Sequence, residues 1–261
     1  MEQLGLFENK IDTVAPCFIS CSFGKDSIAS AILALEAGMN VERILYCHVM
    51  FDKDISSEMP EQEDFIFNHA IPEFERRYGV ETDVVVPELT MVDLFYKVRQ
   101  SGRNVGMIYG WPCVRGCWVS SRIKLPAIRQ WKREHPGLIE VVGIAADEEE
   151  RAQRKTVSGK VLILRDNGVT ERDAARICHE HGLLSPIYSM DRPRSGCWFC
   201  PNQRTSQLYE LRERHPDLWA RLVEMDNDSP FSFKMRGSVR KYEQRFKEYD
   251  EEREFWRSLG R

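Results

Sequence analysis

The sequence is organised around an apolar run that meets a short polar loop and then a helix-forming run. Residues 14–19 are mostly apolar and β-prone, residues 22–27 read Ser-Phe-Gly-Lys-Asp-Ser, and Ile-Ala-Ser-Ala-Ile-Leu-Ala-Leu follows. This order predicts a strand, a tight loop and a helix. The first N–H groups of a helix have no partner and carry partial positive charge, and Gly24 lets a ligand approach the backbone. The loop therefore predicts a phosphate site.

The loop matches neither of two common phosphate-binding motifs, because Gly-x-x-x-x-Gly-Lys-Ser/Thr and Gly-x-Gly-x-x-Gly are both missing. An ordinary capped turn is the alternative interpretation. In that case Asp26 and Ser27 cap the helix and Lys25 points into solvent.

Four more apolar runs follow, at residues 41–51, 81–86, 138–145 and 161–164, and they alternate with helical patterns. Strands that alternate with helices of ten or more residues are typical of parallel βαβ units with right-handed crossovers. We therefore expect an α/β fold with a doubly wound, mostly parallel five-stranded sheet. The helical patterns cover residues 61–78, 90–99, 122–135 and 170–181, and two short helices are broken at His215-Pro216.

The chain is expected to divide into three parts. Residues 1–13 form a lead-in, residues 14–204 an α/β nucleotide-binding domain with the cysteine site, and residues 205–261 a helical, locally basic region. No run approaches eighteen apolar residues and the N-terminus lacks a signal pattern, so we predict a cytoplasmic protein without a membrane partner. A net charge of −4 excludes a globally basic nucleic-acid binder but allows a local basic patch.

Four of the eight cysteines form two short pairs. Cys113-x-x-x-Cys117 and Cys197-x-x-Cys200 are separated by 79 residues. Short pairs on two loops suit one tetrathiolate site, so they predict a metal without naming it. The other four are expected to be buried, small apolar side chains: Cys17, Cys21, Cys47 and Cys178.

Several segments resemble one known family. The loop at residues 22–27 resembles the Ser-Gly-Gly-x-Asp-Ser loop of the ATP pyrophosphatases, in the Ser-Phe-Gly form of the phosphoadenosine phosphosulfate reductase-like branch. Four further segments are similar to that iron–sulfur branch: Met-Pro-Glu at 59–61, Cys-Trp-Val-Ser-Ser-Arg-Ile-Lys-Leu-Pro at 117–126, Gly-Ile-Ala-Ala-Asp-Glu-Glu-Glu-Arg-Ala-Gln-Arg at 143–154 and Ser-Gly-Cys-Trp-Phe-Cys-Pro at 195–201. The resemblance covers roughly residues 15–203.

The resemblance implies a HUP-like fold of the adenine nucleotide alpha-hydrolase type that binds ATP with Mg²⁺. It also implies a [4Fe–4S] cluster on the four paired cysteines. The diphosphate would be held by Ser22, Phe23, Gly24, Lys25, Asp26 and Ser27. Gly143 would let the nucleotide approach the strand end, and Arg151 or Arg154 would meet an anion.

Catalytic roles would fall to Lys25, Asp26 and Lys124. His48 and Asp52 would lie near the sugar or base, or they are solvated loop groups.

Two departures separate this chain from the reductases that it resembles. Their adjacent Cys-Cys is opened here to Cys-x-x-x-Cys, and no cysteine follows Cys200 where they carry a nucleophile in Glu-Cys-Gly-x-His. Other relatives, the tRNA 2-thiocytidine enzymes and the DNA phosphorothioation sulfurtransferase subunit, keep the loop and cluster but use ATP to activate an oxygen for sulfur transfer. The sequence therefore favours an ATP-pyrophosphatase-type sulfurtransferase, with a sulfur-donor protein as a partner. The alternatives are a sulfonucleotide reductase and a non-catalytic nucleotide- or nucleic-acid-binding module with structural zinc.

Residues 231–247 mix cations with aromatic side chains. One interpretation is a surface for a nucleic-acid acceptor, and the other is an amphipathic helix that packs its aromatics on the core. The basic members are Lys234, Arg236, Arg240, Lys241, Arg245 and Lys247, and the aromatic ones Phe231, Phe233, Tyr242 and Phe246.

Overall fold

A computed structural model describes residues 14–112, 116–153, 159–188, 192–235 and 237–259. The predicted lead-in at 1–13 lies outside this part, as do Cys113, Arg154 and Arg236.

The chain divides into two compact units. The first unit combines the residues up to His48 with Glu58–Pro87 and Pro126–Ser195. The second unit combines Val49–Ser57 with Glu88–Leu125 and the residues from Gly196 onward. The predicted domain boundary after residue 204 does not coincide with a boundary between these two units.

A parallel sheet forms the centre of the first unit. Within the described residues its four strands are β1 (Cys17–Ser20), β2 (Val41–Cys47), β3 (Thr82–Val85) and β4 (Ile139–Val142). They stand in the order β3-β2-β1-β4, with every neighbouring pair parallel. Ile19 of β1 is paired with Ile44 on one side and Val141 on the other.

The prediction of a fifth strand at residues 161–164 is wrong. Val161 forms one isolated parallel bridge to Val141, and the chain then turns into a short helix at Ile163–Asp166. A short apolar run fits a buried strand and a buried helix equally well, so its pattern could not decide between them.

The helices of the described residues are α1 (Lys25–Glu36), α2 (Pro60–Phe65), α3 (Ile71–Tyr78), α4 (Met91–Tyr96), α5 (Leu125–Glu134), α6 (Glu149–Ala152), α7 (Ile163–Asp166), α8 (Glu171–Glu180), α9 (Thr205–Arg214), α10 (Pro216–Asp226) and α11 (Val239–Ser258). Two π-helical turns occur: Ile66–Ala70 joins α2 to α3, and Val119–Lys124 leads into α5.

Most helix predictions are confirmed. Thr90 and Thr170 each cap a helix with a reciprocal capping box, which satisfies backbone N–H groups at the first turn. The chain breaks between α9 and α10 at His215, as Pro216 predicted.

Helices lie on both faces of the sheet, as expected for a doubly wound fold. On one face Ile19 belongs to the same buried cluster as Ile28 and Ile32 of α1. Side chains alternate along a strand, so Phe18 points to the other face, where its ring centroid lies 4.8 Å from that of Trp131 in α5.

The second unit packs its three C-terminal helices through aromatic rings and ion pairs. The ring of Phe246 in α11 lies 5.2 Å from Tyr209 of α9 and 5.6 Å from Trp219 of α10. Arg212 pairs with Glu243 at 3.1 Å. The loop at 49–57 also belongs to this unit, and the Nε1–H of Trp198 donates a hydrogen bond to its Ser56 carbonyl at 2.8 Å.

Across the described residues, no helix combines the length and the apolar character that crossing a membrane requires.

Candidate functional site: a loop at the sheet edge and a cysteine pair

The order of the strands places the predicted phosphate loop at a switch point of the sheet. The chain leaves β1 toward β2 on one side, whereas β4 lies on the other side of β1. Loops after two such strands diverge and leave a crevice at the carboxyl edge of the sheet. The loop at 22–27 follows β1, and the segment beginning at Gly143 follows β4.

Phe23 has a left-handed backbone conformation, with φ of 52°. This conformation is rare for a bulky residue and requires support from its surroundings. Its side chain is fully buried, and its ring centroid lies 5.4 Å from Tyr46 and 6.3 Å from Phe74. Gln62 donates a hydrogen bond to the Phe23 carbonyl at 2.9 Å. Packing and this hydrogen bond therefore hold the loop in its unusual shape.

Ser27 ties the two ends of the loop together. Its hydroxyl accepts from the Ser22 backbone N–H at 3.1 Å and donates to the Gly24 carbonyl at 2.9 Å. Because this hydroxyl already makes two bonds, Ser27 shapes the loop.

Two glycines allow close approach of other groups. A Cβ on Gly143 would stand 2.7 Å from backbone atoms of Asp26 and Ser27, so the β4 loop packs directly on the first turn of α1. A Cβ on Gly24 would stand 2.7 Å from Ser195 Oγ and 3.1 Å from Tyr188 Oη. Gly143 thus allows close backbone packing, and it also lines the pocket over the loop. Its predicted role in the approach of a nucleotide stays a prediction.

A pocket of about 190 Å³ opens over this loop within the first unit. Its lining is mostly polar and comes from the loop after β1, the segment after β4, Tyr188 and residues 193–195. The lining residues are Ser22, Gly24, Lys25, Asp26, Ser27, Gly143, Glu148, Arg151, Tyr188, Pro193, Arg194 and Ser195. A second pocket of about 710 Å³ shares the side chains of Glu148, Arg151 and Arg194.

Lys25 is buried in a network of opposite charges. Its Nζ lies 2.8 Å from Asp26 and 2.9 Å from Glu171, and Arg194 pairs with Glu171 at 2.8 Å. The alternative interpretation of the loop, an ordinary capped turn, placed Lys25 in solvent. This part of it is wrong, because Lys25 is only 6% exposed.

The network shifts the proton affinities of its members. Burial raises the pKa of the Asp26 carboxyl, although Lys25 bonds to it. Burial opposes the charge of Lys25 as well, but the bonds to Asp26 and Glu171 outweigh it and raise the pKa of Lys25. For Glu171, burial is likewise outweighed by the bonds from Lys25 and Arg194, so its pKa is lowered. A bound cation would therefore favour the charged form of Asp26.

Arg151 lines the pocket, and its guanidinium pairs with Glu148 at 3.1 Å. Its predicted contact with an anion stays a prediction. Arg154, the alternative, lies outside the described residues. The pocket also has an arginine that the sequence did not single out, Arg194.

Tyr188 is a further site residue that sequence reasoning missed. Its hydroxyl accepts a hydrogen bond from the Lys25 backbone N–H at 2.8 Å, at the start of α1. Burial raises the pKa of Tyr188, so the hydroxyl keeps its proton near neutrality and can donate. No motif surrounds Tyr188 in the sequence, and only the fold brings it to the loop.

His48 and Asp52 have structural contacts. His48 is buried, pairs with Glu63 at 3.1 Å and is not part of the pocket lining. Asp52, in the second unit, accepts hydrogen bonds from the Ile55 backbone N–H at 2.8 Å and from Arg221 at 3.0 Å. Their predicted role at a sugar or base stays a prediction.

Three of the four paired cysteines are described, and all belong to the second unit. The Cys200 N–H donates to the Cys197 carbonyl at 2.9 Å, so a tight turn holds this pair. The backbone N–H of Asn202 bonds to the sulfur of Cys200, and Cys117 acts on Cys200 electrostatically. Cys117 is exposed, while Cys197 and Cys200 are partly buried.

No three His, Cys, Asp or Glu side chains are arranged to hold a metal ion in the part of the chain that the structure describes. Cys113, the fourth predicted ligand, lies outside that part, so the tetrad stays a prediction. Lys124 ends the π-helical turn that begins two residues after Cys117.

The four remaining cysteines are buried, as predicted. Burial raises the pKa of Cys17 to about 11 and that of Cys178 to about 12, the latter helped by the charge of Asp26. Cys178 donates to the Lys25 carbonyl at 3.1 Å, beneath the phosphate loop.

In residues 231–247, two aromatic side chains are buried and so cannot stack on bases. Phe233 is 1% exposed and Phe246 is 4% exposed. For these two residues the second interpretation of the segment, in which its aromatic side chains pack on the core, is confirmed.

Comparison with known proteins yields likenesses of structure only. No protein-family model and no curated protein sequence matches the chain. Among solved structures, the chain is similar to the U34-tRNA thiolase NcsA from Methanococcus maripaludis, a structure that contains its [4Fe–4S] cluster. The two share 16% sequence identity with a TM-score of 0.46, over 93% of this chain and 76% of that one. At this level the likeness supports no inference about activity, which must come from the residues of the site.

Proposed function

We propose that the protein is an ATP-pyrophosphatase-type sulfurtransferase with a HUP-like nucleotide-binding unit. It would cleave ATP to AMP and pyrophosphate while it activates an oxygen of an acceptor for replacement by sulfur. The observation that carries the proposal is the loop at 22–27, which is fixed in an unusual shape and opens into a polar pocket at the switch point of the sheet. Such a site binds anions through backbone N–H groups and the helix N-terminus.

The chemistry assigns separate roles to the residues of the pocket. The backbone N–H groups of the loop and of the first turn of α1, apart from that of Lys25, which donates to Tyr188, would hold the two terminal phosphates together with the hydroxyl of Ser22. Arg151 and Arg194 would neutralise them. Asp26 would bind Mg²⁺, whose charge relieves the unfavourable burial of its carboxylate. Lys25 would fix Asp26 and Glu171 in place.

The reaction balances without a redox partner in its first step. An acceptor oxygen attacks the α-phosphorus of ATP, the bond to the bridging oxygen of the β-phosphate breaks, and pyrophosphate leaves. A sulfur nucleophile then displaces AMP, which carries away the acceptor oxygen. Stabilising charge on the leaving pyrophosphate is the task of the pocket.

We propose that Cys113, Cys117, Cys197 and Cys200 hold a [4Fe–4S] cluster. The fit rests on the Cys197–Cys200 turn and on the N–H that points at the Cys200 sulfur, since both features are common in tetrathiolate sites. A cluster could hold the incoming sulfur or stabilise the fold. Lys124, seven residues after Cys117, is the candidate cation for this site.

A sulfonucleotide reductase is the second candidate, and the spare thiols argue against it. Such an enzyme needs an accessible thiolate, and the four cysteines outside the tetrad are all buried. The third candidate, a binding module with zinc, would share the same four ligands without hydrolysing ATP.

The experiment is calorimetric titration with Mg-pyrophosphate, followed by a pyrophosphate-release assay with ATP. Asp26→Asn should weaken binding by about tenfold or more, because the metal loses a charged ligand. Asp64→Asn is the matched control, since this exposed carboxylate in α2 lies outside the pocket lining and accepts a hydrogen bond from Asn68. Equal affinity of wild type and Asp26→Asn would mean that the loop is only a capped turn.

Metal analysis separates the candidates at the cysteine site. Iron, sulfide and absorbance at about 400 nm in anaerobically purified protein would support the cluster, whereas zinc would support the binding module. Full metal occupancy in both Cys113→Ser and Cys197→Ser would remove the proposed tetrad.

A further inference from the structure

One stretch of the second unit carries cations and no acidic side chain. Residues 94–125 contain six Lys and Arg and no Asp or Glu. The whole chain has 41 acidic residues among 261, so an even distribution would place about five of them here. In a chain with a net charge of −4, this stretch is a concentrated positive region.

The structure folds the middle of this stretch into a hairpin. Val98 and Ile108 form an antiparallel bridge, and backbone hydrogen bonds continue the pairing on both sides of it. Lys97 and Arg103 are exposed on this hairpin. We call residues 97–109 the basic hairpin.

Two guanidinium groups converge on one ring of the basic hairpin. The Cζ atoms of Arg99 and Arg122 lie 4.2 and 5.1 Å from the ring centroid of Tyr109, so the two charges are within about 9.3 Å of each other. Among the described side chains, no carboxylate forms an ion pair with either arginine. Like charges that converge without a counterion repel each other, and a bound polyanion would remove that cost.

One of these two arginines, Arg122, lies close in the sequence to the exposed Cys117. Arg122 lies in the π-helical turn that starts two residues after Cys117, and the ring of Trp118 is 6.2 Å from that of Tyr109. Cys117 is therefore five residues from Arg122 in the sequence, and both belong to the second unit.

We infer that the basic hairpin together with Arg122 binds the phosphodiester backbone of a nucleic acid. Three of the four cations of this site are arginines, whose planar groups bind phosphate oxygens in pairs. Three apolar side chains of the hairpin are exposed beside them and can contact sugars and bases: Val98, Val105 and Met107. That this nucleic acid is the sulfur acceptor rests on the proposed function.

The segment at 231–247 is less suited to the same role. Besides its two buried aromatics, it leads into a helix that is electrically balanced, since α11 has six Lys and Arg and six Asp and Glu. Lys241 and Arg245 on this helix are exposed, so they provide a matched control.

The test is fluorescence anisotropy of full-length protein with labelled single-stranded and duplex oligonucleotides of about 20 nucleotides over a range of salt. Lys97→Ala/Arg103→Ala should lower affinity about tenfold near 0.1 M salt and reduce the salt slope by about two. Arg122→Ala should reduce the slope by about one. The control Lys241→Ala/Arg245→Ala, which removes the same charge, should stay within about twofold of wild type.

Three results would overturn the inference. They are no oligonucleotide binding by wild type, an equal loss in the two double variants, and binding to phosphatidylserine vesicles that depends on the hairpin when oligonucleotide binding does not. Circular dichroism confirms that each variant is folded. The measurement needs no ATP, so a chain that binds oligonucleotides but not pyrophosphate would contradict the proposed function alone.

Discussion

Phe23 shows how packing overrides the preference of a single residue. A left-handed conformation costs a residue with a Cβ about 1–2 kcal/mol. Truncating a buried Phe costs about 3–5 kcal/mol, so burial of this ring is the larger effect. The fold holds the loop in its strained shape because the ring of Phe23 has no comparable place outside the cluster with Tyr46 and Phe74.

Phe23→Gly should therefore destabilise the protein by about 2 kcal/mol, although glycine relieves the backbone strain. Urea unfolding measures the change. Phe74→Ala is the control, since it removes a fully buried ring of the same cluster without relieving strain, and it should cost more. A Phe23→Gly variant more stable than wild type would show that backbone strain outweighs the burial of the ring.

The charged carboxylate of Asp26 is expected to lower the free energy of unfolding near neutral pH, although the proposed function needs this charge to bind Mg²⁺. Its raised pKa means that the folded protein holds this proton at pH values where the unfolded chain has lost it. The free energy of unfolding therefore falls as pH rises from the usual value of 3.8 through the raised one.

Asp26→Asn removes this penalty, but it also removes one of the two carboxylates that stabilise the charge of Lys25, and Glu171 keeps the other. The advantage of the variant over wild type at pH 7 should therefore be small. The advantage should vanish below pH 3.8, where both forms are neutral. Thermal unfolding at several pH values measures it. A melting temperature clearly below that of wild type at pH 7 would assign the carboxylate a structural role, as the ion-pair partner of Lys25.

At the scale of elements, the close packing of the β4 loop on α1 explains the demand for glycine at residue 143. Gly143→Ala should cost about 1–3 kcal/mol, or about 2–10 °C in melting temperature, because its Cβ meets backbone atoms of Asp26 and Ser27 that cannot rotate away. It should also weaken pyrophosphate binding by shifting the first turn of α1.

Gly24→Ala is the matched variant and should cost less than about 1 kcal/mol. Its Cβ meets the ends of the Ser195 and Tyr188 side chains, which can turn aside. Gly24→Ala/Ser195→Ala should recover most of the loss. If Gly24→Ala proved as harmful as Gly143→Ala, the rigid packing of the β4 loop would not be the cause.

Local sequence signals predicted most helices and strands correctly. They could not predict contacts between segments that are distant in the sequence. The capping boxes at Thr90 and Thr170 fixed two helix starts, because a cap depends only on neighbouring residues. The run at 161–164 was misassigned because its apolar pattern fits both structures. Tyr188 and Glu171 reach the loop across more than 140 residues of sequence, and no spacing rule connects them to Lys25.

For the whole molecule, the proposed chemistry is divided between the two compact units. The phosphate loop and its pocket belong to the first unit, while Cys117, Cys197 and Cys200 belong to the second. The cysteine motifs could be predicted from sequence because their short spacing is local. The contact of Arg99 and Arg122 with the ring of Tyr109, also in the second unit, could not be predicted in this way.

The distribution of thiols over the whole chain separates sulfur transfer from sulfonucleotide reduction. At pH 8, a thiol with a pKa near 11 is ionised in only about one molecule per thousand, so Cys17 and Cys178 offer almost no nucleophile. Cys47 is 4% exposed and Cys21 is 3% exposed, which leaves little access to either sulfur. Brief alkylation of the native protein should therefore leave all four unmodified, as read by mass spectrometry.

The same distribution predicts that the protein releases no sulfite from adenylyl sulfate with thioredoxin, whether or not the nucleotide carries a 3′-phosphate. ATP should instead yield AMP and pyrophosphate, slowly alone and faster with the acceptor. Cys21 adjoins the phosphate loop, with its sulfur 3.6 Å from Ser27 Oγ, so it is the spare thiol best placed to substitute for a missing nucleophile. Sulfite that appears with wild type, disappears in Cys21→Ser and persists in Cys178→Ser would establish a reductase and end the sulfurtransferase proposal.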